Sequence, residues 1–167
     1  TLEALNLLVD QGKVRHIGAS NYSGNQLRQS LGLARERGFT PYRSTQEPYN
    51  LFRRDVESDV FPVSSKSGVG TIVHSALARG VLTGKYRLGQ RVPAAARAST
   101  SESIRGDLTD AVLETVEGLV ALAESRGKTV THLALAWVLR RPEVMTSLVG
   151  VRNVSHLQGS LGAVDWK

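Results

Sequence analysis

The chain has 167 residues, of which 41% are hydrophobic and 22% charged, and it contains no cysteine. That is ordinary globular composition with room for one packed core. It excludes a disordered tail, a low-complexity linker, a disulfide framework and a thiolate metal site, and no apolar run approaches the roughly 18 residues of a membrane span. Twenty-one Lys and Arg against fifteen Asp and Glu leave a net charge of +6, which favours an anionic partner. With aromatics at 5% and basic residues clustered only in pairs, Arg53-Arg54 and Arg140-Arg141, a phosphorylated small molecule is expected before nucleic acid or a membrane surface. The absence of cysteine suits a reducing compartment, and the expected location is the cytoplasm.

The elements alternate along the chain. Leu2, Leu5, Leu8 and Val9 recur at helical spacing up to Gly12. Val14 to Ser20 reads as a short buried strand that closes on the polar turn Ser20-Asn21. Ser23 is positioned to cap a helix carrying Leu27, Leu31 and Ala34 and ending at Gly38. Arg43 to Asn50 reads as a second strand, stopped by Pro48, and a helix follows from Asp55 to Lys66 with Pro62 in it. Gly68 to Ser75 is the third strand. The segment from Gly84 to Gly106 is polar, basic and aperiodic, and residues 87–106 are expected to form an irregular loop. Asp107 then caps a helix with Leu108, Val112, Leu119 and Ala123 on its apolar side, and Thr129 opens another that Pro142 ends. Val144 to Gly150 is the fourth strand, and a last helix starts near Asn153.

Strands alternating with helices imply a parallel sheet covered by helices, either an open doubly wound sheet or part of a (β/α)8 barrel. The polar residues decide between them. Ser20-Asn21, Gln46, His74-Ser75 and Gly150-Val151-Arg152 all fall at or just beyond the C-terminal end of a strand, the face on which a barrel carries its active site. An open sheet gathers its ligand groups at a single switch point. A full barrel takes about 250 residues, so the expected architecture is a single partial domain over residues 1–167, the C-terminal half of a TIM barrel. The chain opens at Thr1, inside a helical pattern, with its one methionine at Met145, and a piece of a longer protein is expected.

Several local motifs fail on inspection. Gly80 to Tyr86 is one residue short of a phosphate loop, and Tyr86 replaces the Ser or Thr that would hold magnesium. Gly68-Val69-Gly70 precedes a strand where a dinucleotide fingerprint follows one. His16, His74, His132 and His156 have no metal-ligand spacing, and Ser75 beside His74 lacks the G-x-S-x-G elbow of a hydrolase.

Four longer segments in order carry the strongest signal: GKVRHIGASNYS (Gly12 to Ser23), TQEPYNLFRRD (Thr45 to Asp55), HSALARGVLTGKY (His74 to Tyr86) and GVRNVSHLQGSLGAVDW (Gly150 to Trp166). Together they resemble the C-terminal half of the aldo-keto reductase family. The resemblance implies a barrel that binds NADPH in extended form and reduces a small-molecule carbonyl, an aldehyde or ketone, to an alcohol by hydride transfer. It further implies that Ser20, Asn21 and Gln46 hold the nicotinamide carboxamide and that His74 takes the place of the aromatic that stacks on the ring. Ser75, Leu77, Arg79 and Gly80 would line the pyrophosphate, and Gly150, Val151, Arg152, His156 and Ser160 would grip the adenosine 2'-phosphate and adenine. Asn and Gln are complementary to a carboxamide, and an arginine beside a helix start suits a phosphate. The family's acid Tyr, with its Lys, Asp and His, belongs to the N-terminal half, and Tyr22, Tyr42, Tyr49 and Tyr86 match none of these positions. The missing half of the barrel is therefore an expected partner, and this chain alone is expected to be inactive. A non-catalytic nucleotide-sensing or regulatory subunit on the same barrel is the alternative, and a phosphate-binding (β/α) protein without redox chemistry is a third.

Overall fold

The computed structural model describes residues 1–166. They group into two compact units, one built from residues 1–49, 53–74 and 141–148 and the other from residues 50–52, 75–140 and 149 onward.

The first unit contains the sheet. Its helices are α1 (Leu2–Asp10), α2 (Gly24–Arg37) and α3 (Val60–Ser67), and its strands are β1 (Gly18–Ser20), β2 (Ser44–Pro48), β3 (Gly70–His74) and β4 (Val144–Ser147). All neighbouring strands are parallel and their spatial order is β1-β2-β3-β4, the order of the sequence. A doubly wound sheet reverses its order at the switch point, whereas a barrel adds each strand beside the last. Consecutive order thus favours the barrel. Neither β1 nor β4 has a second strand neighbour among the described residues.

The register separates two faces. Ser20, Gln46 and Ile72 stand side by side across β1, β2 and β3. The residues between them, Ala19, Thr45, Thr71 and Val73, point the other way and are buried. Helix α3 packs on β3, so the buried face is the one the helices cover. A bulge between Thr71 and Ile72 shifts β4 by one residue, and Met145, 75% exposed, lies over Gly70, where a side chain would meet its sulfur.

Strand β1 is shorter than expected. Residues 14–17 carry no ladder, because Lys13 and Val14 donate their N–H groups back to Leu8 at the end of α1. Helix α2 starts as expected: Ser23 accepts from the Gln26 N–H and the Gln26 side chain reaches back to the Ser23 N–H, a capping box. The stretch expected as one helix from Asp55 is a 3-10 turn (Asp55–Glu57) followed by α3. Pro62 falls in the first turn of α3, where its missing N–H has no helical partner to lose.

The second unit is helical. It contains a 3-10 turn (Ala78–Thr83), a second (Arg97–Ser99), and helices α4 (Glu102–Gly106), α5 (Asp110–Glu124), α6 (Val130–Leu139) and α7 (Val154–Leu161). Residues 87–106, expected to be irregular, therefore end in two short ordered elements, with Ala96, Ala98 and Ile104 buried around Tyr86 and Leu113. Thr109 caps α5, its Oγ1 accepting from the Val112 N–H; Asp107 does not, because its carboxylate receives the Arg79 guanidinium instead. Thr129 caps α6 as expected. Val81, Leu82, Val116, Val120, Val130 and Ala134 form the core of this unit. No helix of the described residues is long and apolar enough to cross a membrane.

Candidate functional site

In the first unit, Ser20 and His74 are the last residues of β1 and β3, whereas Gln46, expected at a strand end, is the middle residue of β2; all three project to the face the helices leave open. Asn21 follows directly. Its N–H donates to the Gln46 carbonyl (3.0 Å), the Ser20 hydroxyl donates to the same carbonyl (3.2 Å), and Asn21 Nδ2 donates to Ser20 Oγ (3.0 Å). The half-buried Gln46 side-chain amide, with one acceptor and two donors, has no hydrogen-bond partner among the described residues.

The chain turns sharply at these positions. Among the described residues, the non-glycine residues in the left-handed backbone region are Asn21 (φ 55°), Ser75 (φ 57°), Ala78 (φ 45°) and Arg79 (φ 56°). That region costs a residue with a side chain free energy, and such positions gather at binding and catalytic sites. Three of the four are residues the family resemblance singles out, and the fourth lies between two of them. Buried Asn50, which the sequence reading passed over, holds the start of this strap: its Nδ2 donates to the Ser75 carbonyl (3.0 Å) and its Oδ1 accepts from the Phe52 N–H (2.9 Å). Gly80 (φ 102°) continues the strap, and a side chain there would approach Lys85 Nζ.

The remaining assigned residues lie in the second unit with Ser75 and Gly80. Leu77 packs its side chain against the unit's core. Arg79 directs its guanidinium to Asp107 and to Ser103 Oγ (3.0 Å), so its contribution to the strap is backbone. Gly150, Val151, Arg152 and His156 are exposed. Asn153 caps α7 by accepting from the His156 N–H (2.9 Å), which removes one of that helix's free donors, and the Ser160 hydroxyl is bonded within the helix to the His156 carbonyl (2.9 Å).

The structure adds two cations to Arg152. A cavity of about 490 Å³ is lined by Arg97, Arg152, Ser99, Thr100, Ser101 and a run of alanines. Partial burial pushes the Lys85 ammonium below the usual lysine range, and the positive charges of Arg152 and Arg97 depress it further. No carboxylate pairs with any of the three among the described residues; Arg152 donates instead to the Ala95 carbonyl (3.2 Å). Three mutually repelling cations beside a polar cavity are arranged for an anion. Among the described residues no group of three His, Asp or Glu is placed to hold a metal ion.

The tyrosines are engaged elsewhere. Tyr42, Tyr49 and Tyr86 are buried; Tyr49 donates to Glu57 Oε1 (2.6 Å), and Tyr86 Oη accepts from the Ala98 N–H (3.3 Å). Burial, with Tyr22 edge-on beside it, pushes the Tyr42 phenol up to about 12.

Comparison with known proteins matches the aldo/keto reductase family over residues 1–167. The chain belongs to the aldo/keto reductase family. It is 32% identical over 99% of its length to the aldo-keto reductase YhdN of Bacillus subtilis, covering 49% of that protein. It is 33% identical to a probable voltage-gated potassium channel subunit beta of Arabidopsis thaliana, covering 99% of this chain and 51% of that one. Among solved structures, the glycerol dehydrogenase AKR11B4 from Gluconobacter oxydans superposes with a TM-score of 0.78 at 31% identity, over 97% of this chain and 47% of that one. This aldo/keto reductase chain thus spans about half the length of the curated relatives it matches, and its four-stranded parallel sheet corresponds to about half of a TIM barrel.

Proposed function

We propose that this chain is the cofactor-holding half of an NADPH-dependent aldo/keto reductase that reduces aldehydes or ketones to alcohols. The observation that carries the reading is the trio Lys85, Arg97 and Arg152, cationic and without carboxylate partners, beside a polar cavity. A ligand with several phosphates satisfies them, and the family resemblance supplies one. Bound NADPH provides the hydride. The chain's own residues position it: Ser20, Asn21 and Gln46 offer the donors and acceptors a carboxamide requires, and fixing that group fixes the ring face from which hydride leaves. His74 presents an imidazole toward the same end of the sheet, and Arg152 and Arg97 oppose the phosphate charge with guanidinium forks.

Carbonyl reduction also needs a proton at the developing alkoxide. Tyr49 donates its hydroxyl proton to Glu57, and Tyr42 and Tyr86 are buried. The reading therefore assigns the proton donor to a complementary half of the barrel, whose strands also pair with the open sides of β1 and β4. By itself this chain turns nothing over. The same reading places the protein in the cytoplasm with a soluble carbonyl substrate. Fluorescence titration of the full-length protein with NADPH, followed by an assay of NADPH consumption with small aldehydes and ketones, tests it; no binding would refute it.

A second reading, a nucleotide-sensing regulatory subunit, is favoured by the similarity to relatives named as potassium channel beta subunits. NADPH binding without turnover of any carbonyl would select it.

A further inference from the structure

We infer that Glu47 is a positioning residue that clamps the Ser20-Asn21-Tyr22 turn and so holds Asn21 in its ligand-facing conformation. The inference rests on the nicotinamide-binding reading of that turn. Glu47 follows Gln46 on β2, points to the opposite face and is 3% exposed. An unpaired glutamate is among the side chains least often buried, and nothing in the proposed chemistry touches it. Its surroundings give the reason. The Thr45 hydroxyl donates to Glu47 Oε1 at 2.6 Å, and the backbone of Tyr22 faces the same carboxylate and favours its charged form. Asn21 N–H and the Ser20 hydroxyl meanwhile both donate to the Gln46 carbonyl.

Two residues of the turn are thus bonded to the Gln46 carbonyl of β2, and the next, Tyr22, turns its backbone toward the Glu47 carboxylate. The side chain of Gln46 faces the ligand side, and that of Glu47 locks the turn from behind. Asn21 sits in the left-handed region at φ 55°, a conformation that persists only where its surroundings fix it. A charged acceptor bonds an N–H about twice as strongly as a neutral one, so the charge on Glu47 sets how firmly Asn21 is presented. The groups facing Glu47 are Thr45 on its own strand, Tyr22 on the turn, Asp59 at the start of α3 and Arg53 on the segment after β2. Burial outweighs the hydrogen bonds and, with the repulsion from Asp59, lifts the carboxyl above the usual range; Arg53 opposes the lift. Glu47 therefore takes up its proton at a higher pH than an exposed glutamate, and the clamp weakens as it does so.

The test uses the full-length protein and three ligands: NADPH, NADH, and adenosine 2',5'-bisphosphate, which lacks the nicotinamide. Glu47→Gln keeps the volume and removes the charge. The expected result is a loss of about five-fold in affinity for both NADPH and NADH, with bisphosphate affinity unchanged. The wild type should lose NADPH affinity as the pH falls and the Glu47 carboxylate is protonated, and Glu47→Gln should lack that decline. Unchanged NADPH affinity in the variant, or equal losses for NADPH and the bisphosphate, would overturn the clamp. Failure of the wild type to bind either dinucleotide would overturn the nicotinamide reading, and the clamp with it.

Discussion

Tyr86 links the packing of the second unit to its cation cluster, and its removal can be worked through. The ring is 2% exposed and packs among Ala96, Ala98, Ile104 and Leu113, with Lys85 Nζ 5.2 Å from its centroid. Its hydroxyl accepts from the N–H of Ala98, itself fully buried, at 3.3 Å. Tyr86→Phe leaves the ring and strands that N–H. A buried donor without a partner costs about 1–3 kcal/mol, and a bond longer than the usual 2.9–3.0 Å lies at the lower end, about 1 kcal/mol. Tyr86→Ala removes the ring as well and should cost about 3–5 kcal/mol. Ala98 adjoins Arg97, and Arg105 also holds that turn by donating to the Ala98 and Ser99 carbonyls (2.9 and 3.1 Å). Losing the Ala98 anchor loosens the turn that carries Arg97, and Tyr86→Phe should weaken NADPH by about two- to three-fold, roughly half of one ordinary hydrogen bond. Urea unfolding of the full-length protein gives the stability and fluorescence titration the affinity. A Tyr86→Phe variant with wild-type stability and wild-type affinity would refute the role assigned to this hydroxyl.

Two further outcomes concern packing in the first unit. Gly24→Ala would place a Cβ 2.2 Å from the Asp59 carbonyl oxygen and disturb the bond from the Gly24 N–H to Asp59 Oδ1; overpacking predicts a loss of about 1–3 kcal/mol in urea unfolding, and an unchanged midpoint would contradict the close approach of α2 to the start of α3. Ser147 Oγ is buried without a hydrogen-bond partner among the described residues, so Ser147→Ala should be neutral or stabilising by up to about 1 kcal/mol, whereas a clear loss in the same assay would reveal a partner for that hydroxyl.

Much of this arrangement was legible in the chain because it is written locally. Ser23 with Gln26, and Thr129, announce helix starts through their own capping hydrogen bonds, and Ser20-Asn21 and His74 fall where short strands end, while Gln46 stands two residues before the end of β2. The boundaries were less legible because they depend on partners distant in sequence. β1 extends only as far as Ser44 to Gln46 can pair with it, and Asp107 fails as a cap because Arg79, far back in the chain, claims its carboxylate. Lys85 and Arg97 were missed for a similar reason. Gly80 to Tyr86 fails as a phosphate loop and enters the family resemblance without a role for Lys85, and residues 87–106 read as irregular. The available signal was the charge of that stretch: Lys85, Arg87, Arg91, Arg97 and Arg105 against the single acid Glu102. Glu47 gave no signal at all, since only the register of β2 against the turn after β1 shows that it is buried and bonded.

The central claim is that the cations of the second unit hold the phosphates of NADPH, the 2'-phosphate in particular. Dissociation constants for NADPH and NADH, measured side by side on the wild-type full-length protein and on Arg152→Ala, test it most directly. A charge-assisted hydrogen bond is worth about 1.5–3 kcal/mol, so the variant should lose about 10- to 100-fold for NADPH while NADH affinity changes little. Equal losses for the two cofactors, or a wild type that binds them equally, would contradict the account.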